Sequence, residues 1–221
     1  HYDDDKSKKL GSATAISSII HPRNPHVPSM HMHISWTQMR DGEGYWRVMA
    51  DLNPSIIGES DSDKKRFSEM LEKVTGALYE EGAAQGDRYF NIPVLGRHRG
   101  VSHYYLEGYN SGNFEADKAF VLEVGERVIE QYIAIISDKL KTYPTFTQED
   151  KEEQLAYHTL YLFQVLTLDR GTTSGLLVHD QNDVGIMGSI PSHVNRDILA
   201  TWVEKMPQPQ DVLVKALLKA L

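Results

Sequence analysis

The sequence contains no cysteine. Disulfides, thiolate nucleophiles and cysteine-ligated metal centres are therefore excluded, and a reducing, cytoplasmic location fits. Long hydrophobic runs are missing as well. No stretch approaches the ~20 apolar residues of a spanning helix, and no signal-peptide core is present, so the reading is of a chain not embedded in a membrane. Positive charge is in deficit, with 23 Lys and Arg against 31 Asp and Glu and a net charge of −8. General nucleic-acid or anionic-membrane binding needs basic surface, which leaves room only for a local basic pocket. Phosphate loops, dinucleotide fingerprints, zinc-type H-E-x-x-H motifs, repeats and low-complexity tracts are absent too.

What is present is histidine, ten residues in all, and four of them hang from one stretch. Pro22, Pro25 and Pro28 fall within seven residues. Each fixes its own φ near −65° and pushes the residue before it out of the helical region, so the segment is extended and stiff. It carries His21 and His26, and it leads into His31 and His33. From there His31, His33 and Ser35 alternate with Met32, Ile34 and Trp36. Period two predicts a half-buried strand with the imidazoles on one face. Imidazole titrates near working pH, so a stiff backbone presenting several is suited to acid–base chemistry. The alternative is that these histidines bond to backbone in a proline-rich turn.

The 221-residue chain is long enough for one domain with a substantial core. Residues 1–12 read as a flexible arm or an appended remnant, and 13–221 as the domain. Ala13–Ile20 is a predicted strand, and Asp41-Gly-Glu-Gly44 turns the chain into a return strand over Tyr45–Leu52. Asp61–Glu81 has helical spacing, with Ser60 or Ser62 as cap and Gly82 as stop. Arg88–Pro93 reads as short and extended, Gly96–Gly100 as a basic loop, Val101–Leu106 as a strand and Ala116–Leu140 as a long helix. His158–Leu168, the most apolar run, reads as a central strand buried on both faces. A turn at Asp169–Thr172 and a hairpin of Leu176–Val178 with Gly185–Ile190 follow. Helices over Val194–Lys205 and Asp211–Leu221 close the chain. Strands joined by hairpins, with helices in separate blocks, predict an α+β fold, a single domain with a large, mainly antiparallel sheet flanked by helices.

The histidine stretch resembles the signature of oxygen-dependent coproporphyrinogen III oxidases, S-x-x-x-H-P-x-N-P-x-x-P-T-x-H-x-N-x-R. Ser17, His21, Pro22, Asn24, Pro25, Pro28, Ser29 and His31 stand at matching spacing. His33 and Ser35 stand where that pattern has Asn and Arg. Trp46 with Asp51-Leu-Asn-Pro54, Tyr89-Phe90 with Pro93, Arg99-Gly100 and Asp169-Arg-Gly-Thr172 are similar to further blocks of the family. Its later histidine positions are filled near Lys64 and at Val94, its acidic pair is reduced to Glu107, and its R-R-G-R run is Tyr157, His158, Thr159 and Leu160.

The resemblance implies an enzyme that converts two propionates of coproporphyrinogen III to vinyls, giving protoporphyrinogen IX in haem biosynthesis. Molecular oxygen would be co-substrate, with no organic cofactor and no required metal, in a homodimer. His31, His21 and Glu107 would supply base and proton donor. Ser17, Asn24, His33 and Arg170, and an anion clamp of Arg97, His98 and Arg99, would bind the tetrapyrrole. Other readings stay open. The Arg97–Arg99 loop also fits a solvated basic loop, and Asp169–Thr172 a structural turn. His21, His31 and His33 can be read as part of a divalent-metal site, although spacing marks no further ligand. His26 and His193 read as surface groups, and Tyr104, Tyr105, Tyr161 and Phe163 as core. Val212–Leu221 reads as a dimer contact or as a helix docked on the sheet. The replaced arginines favour an altered-substrate or non-catalytic polycarboxylate binder as the rival function, because arginine forks are the usual grip on carboxylates.

Overall fold

The computed structural model describes residues 10–167, 191–206, 208 and 210–221. In chain order it begins with β1 (Leu10–Ile20), β2 (Ser29–Met39) and β3 (Gly44–Asn53). α1 (Asp61–Thr75) and α2 (Tyr79–Phe90) follow, then the two-residue strands β4 (Asn91–Ile92) and β5 (Arg97–His98), and β6 (Ser102–Tyr109). α3 (Phe114–Thr142), α4 (Gln148–Thr167), α5 (Arg196–Trp202) and α6 (Gln210–Ala220) complete the described chain. The main sheet is antiparallel, in the order β1-β2-β3-β6, and the expected α+β class is observed. Among the described residues no helix is long and apolar enough to cross a membrane.

Alternation along the strands separates two faces. Met30, Met32, Trp46, Val48, Ala50, Leu52, Tyr104 and Leu106 point to one side, where Phe67 and Leu71 of α1 and Val121, Val124, Val128, Tyr132 and Ile135 of α3 complete the core. The valines and tyrosine of α3 recur at three and four residues, one stripe of a helix. Asn113 caps that helix by accepting from Ala116 N, 3.1 Å away. The opposite sheet face carries the histidines of β2.

Several expectations give way. The helix over 61–81 is broken at Gly76, whose φ of 53° is readily adopted only by glycine, and it resumes as α2 to Phe90. Gly82 does not stop it: it lies against the Tyr104 ring, and a Cβ there would sit 2.1 Å from that ring. Arg88–Phe90 is accordingly helix, not extended chain. Ser60 does precede α1, but its hydroxyl donates to Ile57 O (2.7 Å) and makes no cap bond. β1 begins at Leu10, ahead of Ala13.

The largest correction is α4. Of the run expected to be a central strand, residues 158–167 are the second half of a 20-residue helix. Thr147 and Asp150 start it reciprocally: Asp150 N donates to Thr147 Oγ1 (3.1 Å) and Thr147 N donates to Asp150 Oδ2 (2.6 Å). The helix is apolar on two sides because it is buried on two sides. Leu160, Leu162 and Phe163 meet Ile92, Leu199, Met206 and Val214, whereas Tyr157, Tyr161 and Val165 pack with Ile19 of β1. His26 is corrected too. Its side chain is 8% exposed, stacked on Tyr143 at 4.2 Å between Glu59 Oε2 (2.9 Å) and Asp150 Oδ2 (3.4 Å). His193 is exposed, and the four aromatic residues expected in the core are buried. The turn at 169–172 and the hairpin of 176–190 lie outside the described residues.

A candidate active site built on His31, Asp51 and Arg99

The β2–β3 hairpin folds at Arg40–Glu43 and sets His31 directly opposite Asp51, His33 opposite Met49 and Ser35 opposite Arg47. Facing residues share one side of the sheet. His31 Nδ1 is 3.0 Å from Asp51 Oδ1. An ionised carboxylate only accepts, so Nδ1 carries the hydrogen and Nε2 is left for proton exchange.

Asp51 is fully buried. Its second oxygen is 3.1 Å from Arg99 Nη1 and also accepts from Asn53 Nδ2. Arg99 is 3% exposed. It donates to Asn53 Oδ1 (3.0 Å) and, through Nε, to Gln164 of α4. Its guanidinium lies between the rings of Phe90 (4.7 Å) and Tyr161 (5.1 Å). Gly100 permits this approach: its φ is +80°, and a Cβ would come within 2.5 Å of Asn53 Oδ1. Burial alone would raise the Asp51 pKa, but the Arg99 charge, the His31 charge and the bonds from His31 and Asn53 overcome it and hold the carboxyl at about 2. Burial likewise opposes the Arg99 charge, and Asp51 with Tyr157 and Tyr161 more than offsets it.

His21 joins from the end of the proline segment. Its Nδ1 is 3.1 Å from Ser29 Oγ, and its ring stands edge-on to Tyr161 (4.8 Å) and His158 (5.0 Å). Burial first, then the His158, Arg99 and His31 charges, push its pKa down to about 4, so the ring is neutral near pH 7. His21 Nε2 and His158 Nε2 are both buried without a hydrogen-bond partner among the described residues. Burial also lowers the His158 pKa and raises that of Tyr157 to about 12. Buried nitrogens left without a protein partner are candidates for contact with a ligand.

The other expected site residues are distributed around this cluster. His33 lies on the same face as His31, with Nε2 3.0 Å from Ser35 Oγ. Ser17 faces His33 across β1–β2 and is exposed. Asn24 is a tie, donating to Tyr143 O (2.7 Å) and accepting from His26 N (3.0 Å). Arg97 and His98 are exposed in β5, so of that basic loop only Arg99 turns inward. Glu107 is exposed near the far end of β6, 2.6 Å from Arg47, and not with His31. Arg170 lies outside the described residues. The described residues contain no group of three His, Cys, Asp or Glu able to hold a metal ion, so His21, His31 and His33 do not make one.

Sequence reasoning missed Asp51, Asn53, His158 and Gln164 as site residues. One signal for Asp51 was available: a hairpin turning at Asp41-Gly42 pairs position 31 with position 51. Nothing local marks Gln164, which reaches Arg99 only because α4 crosses the sheet.

Fold and site together define an α+β protein in which a part-buried histidine meets a buried aspartate–arginine pair on one face of an antiparallel sheet. The chain belongs to the coproporphyrinogen III oxidase family, whose model matches residues 2–219. It is 32% identical over 185 residues to an oxygen-dependent coproporphyrinogen-III oxidase of Rickettsia akari (strain Hartford), an alignment covering 83% of this chain and 64% of that protein. The same identity holds over 184 residues with the proteins of that name from Rickettsia bellii (strain OSU 85-389) and Rickettsia rickettsii (strain Sheila Smith), covering 82% of this chain and 64% of each. The matches thus span 64% of the length of these curated relatives.

Proposed function

We propose that this protein carries out oxygen-dependent oxidative decarboxylation of coproporphyrinogen III to protoporphyrinogen IX. Each reacting propionate becomes a vinyl group and CO2, giving up one proton and two electrons, and O2 takes the electrons. His31, fixed through Nδ1 by Asp51, exchanges the proton at Nε2. Asp51 stays ionised beside Arg99 and stabilises the imidazolium that forms. His21, neutral and with Nε2 unmet, contacts the substrate. The observation that carries this reading is the His31–Asp51–Arg99 cluster, together with family membership. In the test, coproporphyrinogen III is added anaerobically, air is admitted, and the porphyrins are separated with fluorescence detection. A protoporphyrin peak is expected, falling about a hundredfold or more in the His31→Ala protein. Full turnover by that variant overturns the assignment of His31.

A second reading is favoured by Ser35, which stands where the family pattern has arginine: a homologue that binds a tetrapyrrole or another polycarboxylate without this reaction. Substrate left unchanged while coproporphyrin quenches tryptophan fluorescence would select it. A cytoplasmic homodimer goes with either reading. The exposed Val212 and Leu221 at the C-terminal helix, and Leu122, Ile129, Ile133 and Leu140 along α3, supply apolar surface for a second copy. Light scattering reads its mass.

A further inference from the structure

Arg47 takes no part in the scheme above, yet it lies on the same sheet face as His31 and Asp51. The hairpin register sets it opposite Ser35, four residues along β2 from His31, or about 13 Å at roughly 3.3 Å per residue. Its side chain is 31% exposed. Nη2 donates to Glu107 Oε1 at 2.6 Å, and Nε is buried with no partner among the described residues. Nε and Nη2 form the side-on edge of the guanidinium, a fork that matches the two oxygens of a carboxylate. Glu107 meets half of that fork. It is brought there by a bulge, because between the pairs Val48–Leu106 and Trp46–Tyr109 one residue of β3 faces two of β6, Glu107 and Gly108. Glu107 is half exposed, and ion pairs of that kind contribute little. A ligand carboxylate that satisfied Nε and Nη2 together would displace it at little cost.

We propose that Arg47 is the residue that selects a carboxylate-bearing arm of the ligand, with Glu107 holding its place when no ligand is bound. The fork takes a carboxylate remote from the reacting group at His31, and the cross-strand neighbour of Arg47 on that face is the small, buried Ser35. That the ligand is a tetrapyrrole rests on the function proposed above; that it is a polycarboxylate rests on the fork itself.

The test uses the full chain and its Arg47→Gln, Arg47→Lys and Glu107→Gln variants, each checked for an unchanged melting curve. The probes are coproporphyrin III, its uncharged tetramethyl ester, and benzene-1,3,5-tricarboxylate. Arg47→Gln is expected to weaken coproporphyrin binding about tenfold, a bidentate charge-assisted pair being lost, with less than twofold change for the ester. Arg47→Lys, which keeps the charge without the fork, falls between, and Glu107→Gln binds the acid more tightly. In turnover, Arg47→Gln raises KM and leaves kcat. Undiminished kcat/KM in Arg47→Gln overturns the anchor and leaves the tetrapyrrole reading standing. Arg47-dependent binding of the tricarboxylate without any porphyrin binding keeps the anchor and overturns that reading. Equal losses for acid and ester, or no binding of either acid by the unaltered protein, overturn the anchor.

Discussion

Replacing Asp51 with asparagine strands a guanidinium. Arg99 would remain buried between Phe90 and Tyr161 with its charge uncompensated, and removing one partner of a buried pair costs about 3–5 kcal/mol. The expected result for Asp51→Asn is a matching fall in unfolding free energy in urea. The same carboxylate sets an acid limit. Its folded pKa of about 2 lies below its ordinary 3.8, so between these values the unfolded chain binds more protons. Stability from Asp51 is complete above pH 4 and is lost as pH falls through about 2. Urea midpoints measured from pH 5 to pH 2 should slope downward in the unaltered protein and less so in Asp51→Asn. His21, with its folded pKa near 4, also binds fewer protons folded than unfolded between about 4 and 6.5. Its imidazole signal in an NMR titration should remain that of the neutral ring at pH 6. At this scale the sequence singled out His21 and His31 because proline and period two are local signals. It did not separate Arg99 from Arg97, two residues apart in one glycine-flanked loop. Which of them is buried depends on Asn53, Asp51 and Gln164, and no local pattern encodes those contacts.

Helices that rest on bare backbone tolerate no added atom. α2 packs on β6 through Gly82 and Gly86, with Tyr104 and His103 filling the space of their missing side chains. Gly82→Ala, although favourable to an isolated helix, should destabilise the protein by about 1–3 kcal/mol through overpacking, read as a lower denaturation midpoint. This interface also explains why Gly82 misled as a helix stop: glycine serves ends and close contacts alike, and only the partner ring distinguishes them. α4 is the sharper case. Tyr157 to Val165 has neither alternation nor a single apolar stripe, because two separate cores use it, and an apolar run of that length reads equally as a buried strand. The capping pair Thr147 and Asp150, with no glycine or proline from there to Thr167, was the signal favouring a helix. The β2–β3 hairpin was legible, since alternation and the Asp-Gly turn agree there, whereas the pairing of β1 with β2 runs through the proline segment, which carries no hairpin turn signal.

On the scale of the whole molecule, the proline segment is a clasp. His26 binds Glu59 ahead of α1 and Asp150 in the first turn of α4, Asn24 holds Tyr143 after α3, and Tyr132 of α3 donates to Pro28 O at 2.9 Å. Lys139 of α3 adds a contact to Asp63 at 3.1 Å. Layers on both sides of the sheet are thereby fastened to the segment that carries the site histidines. His26→Ala should lower the denaturation midpoint modestly, because the part-exposed carboxylates of Glu59 and Asp150 lose their shared partner and Tyr143 its stacked ring. Amide exchange should quicken in the first turns of α4 before it does in β3. The clasp was invisible in sequence because its partners lie 33 and 124 positions away.

The turn at Arg40–Glu43 is about 30 Å from His31, counted as nine residues of strand at roughly 3.3 Å each, and touches nothing in the site. It nevertheless acts as the ruler that measures out the chemistry. One residue inserted there would slide β3 by one step, bring Ala50 opposite His31, and drive the Asp51 carboxylate toward the face filled by Met30, Val48 and Tyr104. Length in this hairpin is therefore as tightly constrained as the identity of any proton-carrying side chain, and the loop remotest from the reaction is among the least free to drift.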